Sequence, residues 1–392
     1  MLKKKVTEAV DRLAPELVEL SHKVHANPEL GMQEHKAVAW QIELLRSHGF
    51  TVTTPFCGME TAFKAVRGTP GKGPQIAYLS EYDALKGMGH ACGHNVICAM
   101  SCGAAIALAE VLDGQEAAVY LFGTPAEETL GGKIPMAEGG AFDGLDCAMM
   151  IHTSAKENLV GRGGLACTNV SVEYFGKAAH SSRPMDGINA LASTIALFNA
   201  INAQLHLWPN KSKVNGIITA GGSASNIIPE YSAAVFSLRA ERKDQILPMY
   251  DDFVRLANAA AAMTGAKVKI SHNSIYAERY PNRVLDEAFA VNMASLGEPC
   301  SWPDPEAMTG SSDVGNVTLV LPAIHEYLSL EAGDISGHTA AYREASITPR
   351  ADAVVALGAK GLAMTGVDVF SSKELRDAMW AEYREKALPH KC

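Results

Sequence analysis

SEYDALKGMGHACGHN, residues 80–95, packs two carboxylates, two histidines and a thiol into one short stretch directly after the apolar run 75–79. Glu81 and Asp83 sit two apart, so at the end of an extended strand they point the same way. Cys92 and His94 repeat that spacing in a glycine-rich turn. A thiolate beside an imidazole binds zinc readily and manganese less so. Short His-x-Cys-x-His patterns also arise by chance. Two readings therefore stay open on this stretch alone: a metal site, or an inert buried cysteine and a satisfied histidine at a helix start.

Working outward, the chain of 392 residues is too long for a single core and predicts two domains, one of which can interrupt the other. Hydrophobic residues at 47% and charged residues at 20% describe an ordinary globular protein. The net charge is -9, with no Lys/Arg cluster interleaved with aromatics, which speaks against nucleic acid as a partner. The opening MLKKKVTEAV passes straight into a charged amphipathic pattern without the apolar core of a signal peptide. No apolar run approaches the roughly 20 residues of a membrane span, so no membrane is expected. Eight scattered cysteines read as reduced thiols in a cytoplasm rather than as a disulfide framework.

Periodicity predicts a helix over 6–27, with Val10, Leu13, Leu17, Leu20 and Val24 on one face and Pro28 as its stop. A second helix, 34–48, ends at Gly49. Strands follow at 50–54, 61–66 and 75–79, the last a short apolar run of the kind found inside a covered sheet. A buried helix is expected over 96–112, then strands at 117–123 and 148–151. The 75–79 strand ends in Glu81 and Asp83, the 117–123 strand in TPAEET, and the 148–151 strand in His152. Three successive strands thus deliver metal-competent side chains to one edge of one sheet, where open α/β sheets bind ligands.

The middle of the chain changes character. Strand 168–175, helix 189–207, strands 214–220 and 232–240, helix 243–264 and strand 267–271 follow the ferredoxin-like order βαββαβ. The expected division is therefore a catalytic domain of residues 1–167 and 281–392 interrupted by a second domain of residues 168–280. After residue 285 the expectation is a helix to 296, strands at 316–320 and 323–325, and a closing helix over 348–365.

The adjacent Glu127 and Glu128 let one carboxylate bind metal while the other stands beside it. That pairing suits amide hydrolysis, because a carboxylate next to a metal-activated water can take its proton and pass it to the leaving amine. A glutamate pair on a loop is otherwise a solvated turn, but the apolar strand before it and Gly131-Gly132 after it point to a positioned one. His152 is by habit a core histidine and His338 a surface one. Joined to Cys92, His94 and Glu128, they complete a five-donor set, enough for two metals if one ligand or a water bridges.

In order along the chain stand HANPELGMQE (25–34), SEYDAL, GHACGHN, PAEE, the strand-end His152, GKAAHSSRP (176–184), GGSASNIIPE (221–230), GSSDVGNV (310–317) and SGHTAAYREAS (336–346). With these motifs the chain resembles the metallopeptidase family of aminoacylases and glutamate carboxypeptidases. The likeness is greatest to its amidohydrolase branch, which includes p-aminobenzoyl-glutamate hydrolase, N-acyl amino acid amidohydrolases and Xaa-Arg or β-alanyl-lysine dipeptidases. The resemblance implies an α/β fold: a zinc-peptidase-like catalytic domain with a mixed central sheet, interrupted by a ferredoxin-like lid and dimerisation domain. It implies two divalent metal ions per subunit, manganese or zinc with cobalt or nickel as other family metals, held by Cys92, His94, Glu128, His152 and His338. Glu127 takes the general-base position, and Asp83 matches an aspartate that supports a ligand from behind. His180 matches a histidine that reaches across a homodimer to steady the oxyanion in the partner's site. Asn226 and Arg239 match lid positions that grip a substrate carboxylate. Ser311, Ser312 and Asp313 fall on a loop beside the pocket, while Glu81 and His90 receive no role.

The expected activity is hydrolysis of a small N-acyl or N-aroyl amino acid or a dipeptide in a cytoplasmic homodimer. Two alternatives stand beside it: Cys92 as a nucleophile with His94 or His180 as base, or a metal-binding homologue that has lost catalysis.

Overall fold

The structure, a computed structural model, describes residues 1–304 and 310–391. It divides into two compact units, one of residues 1–163 and 279–391, the other of residues 164–278.

The first unit is built on a six-stranded sheet in the order Thr51–Thr53, Phe63–Gly68, Ala118–Gly123, Gln75–Ser80, Cys147–Ser154 and Ala323–Ser329. The first two pairings are antiparallel and the other three parallel, so the sheet is mixed. Gln75–Ser80 is buried along its whole length because it lies inside the sheet with both faces covered. Helix His94–Val111 packs on it and carries residues such as Val96, Ile97 and Ile106 at zero exposure. Helices Leu2–Ala26 and Pro349–Ser371 pack against that helix in turn. Pro15 is accommodated inside the first of them. Gly103 is required where these helices meet, since a Cβ there would lie 2.4 Å from Leu17 and 3.0 Å from Ala359.

Parallel pairing decides where the chemistry emerges. Ser80 pairs with Gly123, so Glu81 and the TPAEET turn leave the sheet at one level. Continuing past the Tyr78–Met149 pair, the neighbouring chains bring Glu81 and His152 level with each other.

The second unit holds a four-stranded antiparallel sheet in the order Lys267–His272, Ala166–Phe175, Tyr231–Ala240, Lys213–Ala220. Helices Ala190–Gln204 and Lys243–Thr264 cover one face around Leu197, Phe236 and Phe253. Numbered along the chain the strands lie 4-1-3-2, the order a βαββαβ unit gives when both crossovers lie on the same face.

Several expectations need correction. The break expected between 167 and 168 falls inside strand Ala166–Phe175, because Ala166 and Cys167 pair with Ala240 and Arg239. His152 lies within strand Cys147–Ser154 rather than after it, since pairing with Tyr327 carries the ladder onward. The strand expected at 316–320 is instead part of helix Val314–Thr318 and the turn after it; so short an apolar run has no period to separate the two. The closing helix extends to Ser371 and is followed by Lys373–Lys386. Two helices, His94–Val111 and Pro349–Ser371, are long and apolar enough to cross a membrane by length and composition, contrary to the expectation from the apolar runs. They lie in the core, with 89% and 67% of their most apolar windows buried.

Candidate metal centre

Gly93 sets the local geometry of the GHACGHN turn. It caps helix His94–Val111 in the left-handed region at φ 78°, and a Cβ there would lie 2.2 Å from Thr153 Oγ1. Only glycine satisfies both demands. The kink puts Cys92 and His94 on either side of the cap. Thr153 Oγ1 donates to the Cys92 carbonyl at 3.2 Å and accepts from Tyr342 Oη at 2.9 Å.

The imidazoles are oriented from behind. His94 Nδ1 lies 2.9 Å from the Asp83 carbonyl and 3.0 Å from Asp83 Oδ1, so Nδ1 carries the hydrogen and Nε2 turns its lone pair inward. His152 Nδ1 donates to the Thr153 carbonyl at 2.6 Å, leaving Nε2 only 3.3 Å from Cys92 Sγ. Burial pulls the His94 imidazole down, but Cys92 and Asp83 outweigh it and push the group well above its usual range, a preference for positive charge at Nε2 that a metal ion in the place of the proton would meet. Burial lowers His152 to about 4, which keeps it neutral and able to ligate.

The PAEE turn is tied down at two points. Glu128 N–H donates to Asp83 Oδ2 at 3.0 Å, so Asp83 holds His94 with one oxygen and the glutamate backbone with the other. Ala126, at φ 59°, is a strained non-glycine residue. Its N–H donates to Glu34 Oε1 at 2.8 Å, and Thr61 Oγ1 donates to Glu34 Oε2 at 2.7 Å. Burial lifts the Glu34 carboxyl to about 7. The role of the HANPELGMQE motif is thus structural: Gly31 packs so closely on this turn that a Cβ would lie 2.8 Å from that of Ala126.

Among the described residues, four sets of donor atoms lie within 4.8 Å of one another: Cys92, His94 and His152; Cys92, Glu128 and His338; His94, Glu127 and Glu128; and Glu81, Glu127 and Asp313. All five residues expected as metal ligands fall in the first two sets, which share Cys92. His338 arrives from a polar loop at φ 61°, with its N–H on the Ala91 carbonyl and Nε2 3.1 Å from Glu128 Oε1. Glu127 is buried, and burial together with Glu81, Glu128 and Asp313 raises its carboxyl well above the carboxylate range. A soft thiolate, three imidazole nitrogens and carboxylates converge with inward lone pairs. His94 Nε2 and Glu81 Oε2 are buried without a hydrogen-bond partner among the described residues, an arrangement that fits divalent cations.

In the second unit, His180 and Asn226 are neighbours: Ser181 N–H donates to the Asn226 carbonyl at 2.9 Å. His180 is exposed, and its Nδ1 accepts from Ser182 N–H at 3.2 Å. Arg239 lies towards the other end of strand Tyr231–Ala240, opposite Cys167 and Lys213. Of the residues without an expected role, Glu81 is fully buried beside His94, and His90 is buried among His94 and His25. Lys133, which no sequence motif singles out, is fully buried between Glu81 and Asp313. Its signal was a lone cation in the apolar, glycine-led stretch GGKIPM.

The protein-family model described as Peptidase family M20/M25/M40 matches residues 72–360. The chain is 35% identical over 402 residues to the Xaa-Arg dipeptidase of Mus musculus, covering 98% of this chain and 93% of the relative. It is 29% identical over 322 residues to one of the subunits of the p-aminobenzoyl-glutamate hydrolase of Escherichia coli, covering 77% of this chain and 66% of the relative. Among solved structures, the Bacillus subtilis YXEP protein, described as a dinuclear metal binding peptidase from the M20 family, superposes with a TM-score of 0.65. That match has 20% identity and covers 92% of this chain and 99% of the other, a likeness of fold.

Proposed function

The chain belongs to peptidase family M20/M25/M40 and is a hydrolase of that family, and from this premise we propose that it cleaves the amide bond of a dipeptide or N-acyl amino acid with two divalent metal ions. The observation that carries the reading is the pair of donor sets sharing Cys92. Cys92, His94 and His152 would hold one ion and Cys92, Glu128 and His338 would hold the other. Zinc suits the sulfur and imidazoles, and manganese the carboxylate. The chemistry a metal would supply there is a bound water with its pKa lowered from about 15.7 toward about 7, and polarisation of the scissile carbonyl. Glu127, adjacent to the ligand Glu128 and within 4.8 Å of its donor atom, is the base that takes the proton and returns it to the leaving amine. Asp83 keeps both His94 and the glutamate turn in register for that transfer.

The name of the mouse and human relatives, Xaa-Arg dipeptidase, supports a dipeptide with a basic C-terminal residue as substrate. The test is a panel of dipeptides and N-acyl amino acids presented to metal-reconstituted protein. We expect turnover of at least one dipeptide ending in Arg or Lys, above that of N-aroyl glutamates; turnover of none of the panel would refute the reading. Because Cys92 has to stay reduced to ligate as a thiolate, we place the protein in a reducing cytoplasm.

For the second unit we propose a lid and dimerisation role. With Nδ1 accepting from Ser182, His180 presents Nε2–H to an oxyanion, a donor role that contributes a few kcal/mol in a dry cleft. Asn226 and Arg239 would bind the substrate carboxylate. Mixed dimers of His180→Ala and Glu127→Gln subunits are expected to recover up to about a quarter to a half of the activity, since the role of His180 lies in the partner's site. Absence of recovery despite proven exchange would remove the shared site.

The Cys92 nucleophile gains one observation, His152 Nε2 at 3.3 Å from the sulfur. Against it, a Cys92 nucleophile gives no part to Glu127 and Glu128, whose carboxylates lie with His94 within 4.8 Å of one another.

A further inference from the structure

The places where the chain leaves the first unit and returns to it are held by one side chain. Gly163 ends the first stretch of that unit and Arg279 begins the second. Arg279 is only 6% exposed. Its Nε donates to the Arg162 carbonyl at 2.9 Å and its Nη2 to the Gly163 carbonyl at 2.8 Å, so both carbonyls belong to the outgoing connection. Nη2 also donates to Tyr327 Oη at 3.1 Å, and Nη1 to His325 Nδ1 at 2.9 Å. A guanidinium has no acceptor, so the His325 hydrogen lies on Nε2. Arginines this deep are almost always paired with a carboxylate, yet these four acceptors are all neutral. What the arrangement provides is position, set by a planar fork that lysine does not reproduce.

The two side-chain acceptors share a neighbour. Tyr327 pairs with His152 across the parallel ladder and His325 pairs with Met150, so both lie on the face of the sheet that carries His152. Their rings are centred 5.6 Å (His325) and 5.7 Å (Tyr327) from the His152 ring. The Arg162 guanidinium covers Tyr327 at 5.0 Å from the ring centre. His152 is tied at Nδ1 to the carbonyl of the next residue, which leaves the tilt of its plane to the rings around it. Arg279 holds two of them.

We infer that Arg279 is a positioning residue for the hydrolysis, joining both crossings of the chain to the two rings that set the metal-ligand His152. The inference rests on the dinuclear reading above, in which His152 is a ligand. Arg279 acts on the ion only through His325 and Tyr327. The geometry at His152 then depends on the connections that carry the second unit, and not on the GHACGHN turn alone.

The experiment uses cobalt(II) as the probe, because its visible bands report ligand geometry and a thiolate band reports the bond to Cys92. Arg279→Lys keeps the charge and loses the fork. Two cobalt ions are expected to bind still, the visible bands to shift, and kcat to fall about 10- to 100-fold with KM changing less. A merely structural role would lower the melting temperature alone, so bands and kcat recorded well below the melt separate the two. Unchanged bands with a near-normal kcat would overturn the assignment. Should the lysine variant not fold, Tyr327→Phe keeps the ring against His152 and removes only the hydroxyl that Arg279 grips; a smaller band shift is expected, and unchanged bands are equally decisive. Failure of the dinuclear reading would look different, since the wild type itself would bind fewer than two cobalt ions or show no thiolate band, and the inference would fall with it.

Discussion

Glu127→Gln is expected to lower turnover by roughly 10²- to 10⁴-fold while leaving two metal ions bound. The amide keeps the shape of the side chain but can neither accept the proton of the attacking water nor return it to the leaving amine. Glu127 stands outside the two donor sets that share Cys92, so metal content is not expected to move. Substrate affinity should change little, so the loss appears in kcat with KM nearly constant. The substitution also removes one of the buried carboxylates crowded around Lys133, and folded stability should therefore be equal or higher. Steady-state kinetics, metal analysis and a thermal melt on the same preparation check all three statements. A near-normal rate with two metals present would remove Glu127 as the base.

Stripping the metals has the second large effect. Exhaustive treatment with phenanthroline or EDTA is expected to abolish activity to below about 1% and to lower the melting temperature. Metals bound at 1,000 times their Kd contribute about 4 kcal/mol to the folded state. Their loss leaves Cys92, His94, Glu128 and His152 with inward polar atoms and no cation to meet them. Half-exposed His338 marks the exit. The ion it shares with Glu128 should leave first, so activity should fall before most of the stability is lost. Re-addition of zinc or manganese should restore both. Activity that survives proven removal of all metal would overturn the mechanism and leave the Cys92–His152 contact as the site to pursue.

Much of the centre was legible because its parts are local. Gly93 between Cys92 and His94, the paired Glu127 and Glu128, and a histidine at a strand end are features of short stretches, and strand order brings their ends to one edge. The roles of Glu34, Lys133 and Asp313 were not legible. Each acts through a contact across the chain: Glu34 on Ala126, Lys133 on Glu81, Asp313 on Lys133. Nothing in a stretch such as GGKIPM says that its lysine is fully buried. The same holds for Glu81, whose neighbour in sequence is the strand but whose hydrogen-bonded partner is Lys133.

Local forces read a pattern already written along the chain: apolar runs long enough for core strands and helices, the glycines that permit sharp turns, and the βαββαβ order of the inserted unit. How long the His152 strand runs, that 314–318 is helical, and which buried charges pair depend instead on contacts between distant segments. Strand extension depends on a partner such as Tyr327 from far along the chain. Pairing of Lys133 depends on burial, which raises the cost of an unmet charge until a distant carboxylate becomes its necessary neighbour.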